Sequence, residues 1–190
     1  MTGILISLKE TVRKLRGDRS GVGAVEFALI APVLIVLYMG SLEISVAMTV
    51  NKKLARAAST VADLVTQDEV VNKAFLKSMV NVAQSVMTPF RADAIKVKIS
   101  GIVINAAGLS TVVWSWQQDN TKAYTVGLNV SVPTDLAVPN TFLVRTELEL
   151  DHDLLLVMPG IQNIDMRKLH MTKSYHLRQR VGNSVACSDC

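Results

Sequence analysis

The sequence lacks the motifs that carry most enzyme chemistry. It has no G-x-S-x-G elbow, H-E-x-x-H helix, phosphate loop or dinucleotide fingerprint. Only two cysteines and three histidines occur in 190 residues. The tightest group of potential ligands is Asp151-His152-Asp153, but strand alternation puts His152 on the opposite face from both acids. We therefore predict a non-enzymatic protein with no catalytic residues, no metal site and no cofactor.

The chain also lacks a distributed basic surface. The net charge is +4, yet most of this excess lies in the first 20 residues, where five basic residues stand against Glu10 and Asp18. These five are Lys9, Arg13, Lys14, Arg16 and Arg19. Because the remainder is almost neutral, nucleic acid is not the expected partner.

Apolar residues, by contrast, form one long run from Gly21 to Leu42, interrupted by a single charge at Glu26. At about 1.5 Å per residue, the residues from Val22 to Leu42 cover about 31 Å, which matches the hydrocarbon core of a membrane. Pro32 is compatible with a membrane helix. The basic tail before the run predicts a cytoplasmic amino terminus and an external domain after residue 50. A buried Glu26 carboxylate would need a partner.

Both cysteines lie at the carboxyl terminus, as Cys187 and Cys190 in a C-x-x-C pattern. An oxidising compartment would let them pair with each other or with a partner. No further cysteine or histidine stands at zinc spacing, and no helix is expected to follow the pair and activate a thiol. We expect an inert or disulfide-bonded tail.

The periodicity predicts helices first and an antiparallel sheet afterwards. The first helix continues past Leu42 to Val65, and a second, from Val71 to Val86, begins after a capping box at Thr66–Glu69 and stops before Pro89. Five strands are then predicted, at 94–105, 109–117, 124–132, 141–156 and 168–180. Trp114 and Trp116 share one face, which we expect to pack on the second helix. The fold class is α+β.

The boundaries that follow divide the chain into five parts. These are a basic leader (1–21), a membrane and assembly helix (22–42), its extension into solvent (43–65), an α+β domain (66–182) and a C-terminal tail (183–190).

The start of the apolar run resembles a known processing signal. A short basic leader, Gly21 and then V-G-A-V-E-F resemble the type IV prepilin-type signal of the Tad (tight adherence, Flp) pilus system. The core G-A-V-E-F-A-L-I-A-P-V is similar to that of TadE-like pseudopilins. This resemblance implies that a prepilin peptidase cuts between Gly21 and Val22, and that Glu26 becomes the fifth residue of the mature chain.

The resemblance also implies a function. A TadE-like pseudopilin, or minor pilin, has a long helix half in the inner membrane and a small periplasmic domain, and it serves pilus assembly with other pilins and Tad assembly proteins. Glu26 would set subunit register by pairing with the new amine of Val22 or of a neighbouring subunit. The adjacent Phe27 would belong to the same assembly site. The role of the β-rich domain stays open, as does the choice between a TadE-like and a TadF-like role.

Two other interpretations of the run are open. An uncut single-pass protein with a periplasmic scaffold or sensor domain would retain Gly21 as a helix-entry residue. A secreted protein would be cut after Ala47, because Ser45-Val46-Ala47 has the small residues that a signal peptidase uses.

Overall fold

A computed structural model describes residues 21–154 and 168–190. Within these ranges the chain is α+β, with two helices followed by a small antiparallel sheet, as predicted. It divides into two compact units, Met1–Ile44 and Ser45–Cys190, and the structure describes the first from residue 21 onward. Residues 1–20 of the predicted basic leader and the last two residues of the strand predicted at 141–156 lie outside the described residues.

Helix α1 spans Val22–Val65 without interruption, although Pro32 lies inside it. Its 44 residues correspond to about 66 Å of length. The second half has an apolar stripe at helical spacing, and these residues form part of the domain core: Val50, Leu54, Ala57, Ala58, Val61 and Val65. The prediction of one continuous helix to Val65 is therefore confirmed.

Helix α2 spans Lys73–Met87, and it follows the two-residue strand β1, Val70–Val71. The predicted capping box at Thr66–Glu69 is wrong. Asn72 is the N-cap, and its side chain accepts a hydrogen bond from the Phe75 amide at 2.8 Å. The Thr66 hydroxyl instead donates to the Asp63 carbonyl within the last turn of α1, so it is not available as a cap.

The main sheet has four antiparallel strands in the order β3-β2-β4-β5. They are β2 (Lys96–Ile104), β3 (Ser110–Gln117), β4 (Thr141–Asp153) and β5 (Lys168–Arg178). All four were predicted within a few residues.

The strand predicted at 124–132 is wrong. This segment makes one isolated bridge, between Asn129 and Thr111, and Gly127 has a positive φ of 84° that takes the backbone out of the extended region. Its apolar side chains cover one end of the sheet, where they pack on a small cluster formed by Ile102, Ile104, Val112 and Leu143. Alternation was therefore a sign of partial burial and not of strand pairing.

The main core lies between the two helices and the face of the sheet that bears Trp114, Trp116 and Val144. Trp114 and Trp116 belong to this core together with Leu76 and Met79 of α2, in agreement with the predicted packing. Trp114 lies opposite Gly101, where the β2–β3 register shifts. A Cβ atom at Gly101 would overlap the Trp114 indole and come within 2.8 Å of Phe142 Cζ.

The last residues, which the sequence analysis assigned to a tail, pack against the domain. Strand β6, Ala186–Cys187, pairs in parallel with β1, and Val185 is buried in the core. Cys187 and Cys190 form a disulfide.

Candidate functional site

The amino-terminal end of α1 coincides with the predicted processing site. Gly21 precedes the helix, and its carbonyl accepts a hydrogen bond from the Val25 amide at 3.1 Å. Gly21 and Val22 are both exposed, and an added Cβ at Gly21 would meet no atom within 4 Å. The peptide bond between Gly21 and Val22 therefore lies at the amino-terminal end of α1, because Gly21 is the residue immediately before the helix.

The surface of α1 from Val22 to Leu42 is apolar and exposed. Its most apolar 18-residue window has a mean hydropathy of 2.2, and none of it is buried within the chain. Phe27, next to Glu26, is 68% exposed. The helix is long and apolar enough to cross a membrane, and a continuous apolar surface of this size needs lipid or protein contact.

Glu26 is the only charged side chain in this stretch of helix, and it lies one turn after Val22. Residues four apart share a face of a helix, so the Glu26 and Val22 side chains are on the same side of α1. The described residues of the chain give Glu26 no ion pair. Burial of this carboxylate in a membrane would therefore need a cation from outside the described residues.

Two glycines of α1 have no packing reason inside the chain. A Cβ added at Gly23 or Gly40 would meet no atom within 4 Å. Glycine inside a helix costs about 1 kcal/mol relative to alanine. Small residues at such positions permit close approach of two helices in a membrane.

The outer face of the sheet has a polar cluster that was not singled out from the sequence. Arg145 stacks on Tyr124, whose hydroxyl donates to Glu147 at 2.8 Å. Burial and this hydrogen bond raise the pKa of Tyr124. Lys98 pairs with Glu149, which raises the pKa of Lys98 and lowers that of Glu149. The two basic side chains, Arg145 and Lys98, pair with the two acidic ones, Glu147 and Glu149. Because Tyr124 contacts Arg145 and Glu147, the cluster holds the segment around Tyr124 on the sheet.

The histidines and acids of β4 and β5 do not meet at one potential metal site. Asp151 accepts a hydrogen bond from His170 Nδ1 at 2.7 Å, which lowers the pKa of Asp151, while His152 lies on the other face of β4. His176 is half-buried, and its burial lowers its pKa. The positive charge of the nearby Arg145 lowers this pKa further. Among residues 21–154 and 168–190, the one close group of potential ligands contains Cys187 and Cys190, whose sulfurs are joined in the disulfide.

Sequence reasoning missed Asp189. Its carboxylate accepts a hydrogen bond from the Lys73 amide at 2.8 Å, at the start of α2. The two residues are 116 positions apart, so no local pattern could reveal the contact.

A comparison with known protein families finds a match over most of the first helix. A family model described as TadE-like protein matches residues 21–63, which begin at Gly21 and end two residues before the end of α1. The predicted resemblance to TadE-like proteins of the Tad pilus system is thus confirmed over this stretch. Neither the curated proteins nor the solved structures include a match to the chain.

Proposed function

We propose that this chain, with its TadE-like first helix, is a pseudopilin-like structural subunit that a prepilin peptidase cuts after Gly21 and that assembles through α1. One coincidence carries the proposal. The family match begins at Gly21 and helix α1 begins at Val22, with glutamate as the fifth residue after the cut.

Cleavage changes the chemistry of the helix end. Removal of Gly21 takes away the carbonyl that accepts from the Val25 amide, and it creates an ammonium group at Val22. A positive charge is unfavourable at a helix amino terminus, and α1 has no acidic residue in its first turn to offset it. Glu26, one turn further on, is the nearest acid of the helix. Pairing with it, within one subunit or between neighbours, neutralises both charges in the membrane.

The exposed apolar surface of Val22–Leu42 supports anchoring and assembly. Before assembly this surface contacts lipid of the inner membrane, and afterwards it packs on other pilins or pseudopilins. Gly23 and Gly40 permit close helix contact. The partners in this proposal are the inner membrane, the peptidase and the Tad assembly proteins, and the chain has no enzymatic role.

The orientation follows from the charge of the leader. Five basic residues precede the apolar run, whereas Lys52, Lys53 and Arg56 follow it. The amino terminus is therefore cytoplasmic and residues 45–190 are periplasmic.

Continuity of α1 supports cleavage at Gly21 over cleavage after Ala47. The helix runs through Ala47 without a break, and Val46 and Ala47 pack against the domain core. A cut at Ala47 would divide a helix whose later turns contribute fully buried side chains to the core.

Co-expression of the full chain with a prepilin peptidase tests the processing step. We expect a mature amino terminus at Val22 and a mass loss of about 2.2 kDa, at about 110 Da for each leader residue. Gly21→Leu should abolish the shift, because a large side chain replaces the glycine at the cleaved bond.

Gly23→Ala is the matched control, since it changes an equally exposed glycine two residues later and should still be cut. No mass loss in the wild type would contradict processing and favour the uncut single-pass protein. A mature chain that begins at Met48 would instead establish a secretory signal peptide.

A further inference from the structure

The carboxyl-terminal residues close the connection between the two helices. The Ala186 amide donates to the Glu69 carbonyl at 2.9 Å, and the Ser188 amide donates to the Val71 carbonyl at 3.0 Å. Just before them, the Val185 carbonyl accepts a hydrogen bond from Trp114 Nε1 at 2.7 Å in the core. In the part of the chain that the structure describes, β6 is the strand that pairs with β1.

The same segment completes the start of α2. The first amides of a helix lack acceptors within the helix, and α2 has no acidic residue in its own first turn. Asn72 serves the Phe75 amide, and Asp189 serves the Lys73 amide. The Asp189 carboxylate also places a negative charge at the positive end of the helix dipole.

The disulfide positions Asp189. Asp189 lies inside the four-residue ring closed by Cys187 and Cys190, so the ring restricts the backbone on both sides of it. Cys187 belongs to β6, and both cysteines pack against the core. Opening the ring removes this restraint, so residues 188–190 can leave α2 at little cost.

We propose that Cys187 and Cys190 form a latch that a dithiol–disulfide exchange enzyme closes after export, and that closure docks the carboxyl terminus on β1 and α2. In this reaction the two thiols lose two electrons and two protons as their sulfur–sulfur bond forms. The disulfide of the exchange enzyme accepts both and is reduced to a dithiol. The cellular step rests on the proposed periplasmic location of the domain, whereas the docking step does not.

Hydrogen exchange of the purified full chain in detergent tests the docking step. The oxidised protein is compared with the protein reduced by dithiothreitol and with the double variant Cys187→Ser/Cys190→Ser. We expect the amides of residues 66–76 and 184–190 to exchange at least tenfold faster in both open forms. Amides of β4 should keep their rates, which distinguishes release of the latch from unfolding. Equal rates near β1 and β6 in open and closed forms would overturn the proposal.

Asp189→Ala with the disulfide intact separates the two contacts of the latch. We expect faster exchange at the start of α2 and unchanged exchange at Ala186 and Ser188. Unchanged exchange at Lys73 would overturn the role assigned to Asp189.

Thiol alkylation in cells tests the enzymatic step. We expect Cys187 and Cys190 to be unreactive in cells that contain the dithiol–disulfide exchange enzyme. In cells that lack this enzyme, the two thiols should react. Free thiols in both strains would overturn oxidation after export. Processing at Gly21 is measured separately, by mass, so this failure is distinguishable from failure of the proposed function.

Discussion

At the scale of single residues, the chemistry of the first helix depends on Glu26. An unpaired carboxylate in the hydrocarbon core costs several kcal/mol, about 3 on insertion scales. Such a residue persists in an apolar helix when a cation accompanies it. The processed amine of Val22 is that cation in our proposal, so assembly depends on prior cleavage through this ion pair.

We expect Glu26→Ala to be cut normally but to enter the assembly at least tenfold less than the wild type. Cleavage depends on Gly21, whereas Glu26 serves the later contact between charges. Mass spectrometry measures the first effect, and the amount of subunit that copurifies with pili measures the second. Asp68→Ala, which removes an exposed carboxylate outside the helices, should behave as the wild type. Normal incorporation of Glu26→Ala would rule out the registering role.

Prediction from the sequence succeeded for the TadE-like resemblance, because its signal is local. The Gly21–Glu26 spacing, the basic leader and the apolar run occupy one continuous stretch, and the family match covers it from Gly21 onward. It failed at α2, because Thr66 and Asn72 are both acceptable caps by residue type. The choice is made by β1, which occupies the two residues before Asn72 and delays the helix.

At the scale of elements, hydrophobic periodicity located both helices and four strands, because each is long enough to show several repeats. It misassigned 124–132, where Gly127 and the burial of a loop on the sheet produce alternation without pairing. It also missed β1 and β6, since two residues carry no period and their pairing joins distant parts of the chain.

The β2–β3 pair makes a specific prediction about packing. Gly101→Ala should destabilise the domain by about 3 kcal/mol, because the new methyl group overlaps Trp114 and approaches Phe142 in a closely packed core. Chemical denaturation of the full chain in detergent, followed by tryptophan fluorescence, measures the loss.

Val113→Ala is the control for this prediction, because it shortens a side chain on the same strand pair that is 40% exposed. It should cost well under 1 kcal/mol. Equal stability of Gly101→Ala and the wild type would contradict the described contact between Gly101 and Trp114.

At the scale of the whole molecule, charge and hydropathy are separated along the chain. Most of the excess of basic over acidic residues lies before the apolar run, and the rest of the chain is almost neutral in net charge. In our proposal this asymmetry sets the side of the membrane on which the domain lies.

We expect external protease to degrade residues 45–190 in spheroplasts and to spare them in inverted membrane vesicles. An antibody against the domain follows the digestion, and detergent provides the control in which both preparations are degraded. Protection of the domain in spheroplasts would reverse the proposed orientation.

The pairing of β1 with β6 also has a consequence for biosynthesis. β1 is made early, at residues 70–71, but its partner β6 begins 116 residues later, at Ala186. The pair therefore cannot form until this long intervening segment and β6 have left the ribosome. A nascent chain of this kind keeps β1 unpaired with β6, and this part of the domain open, during most of its translocation.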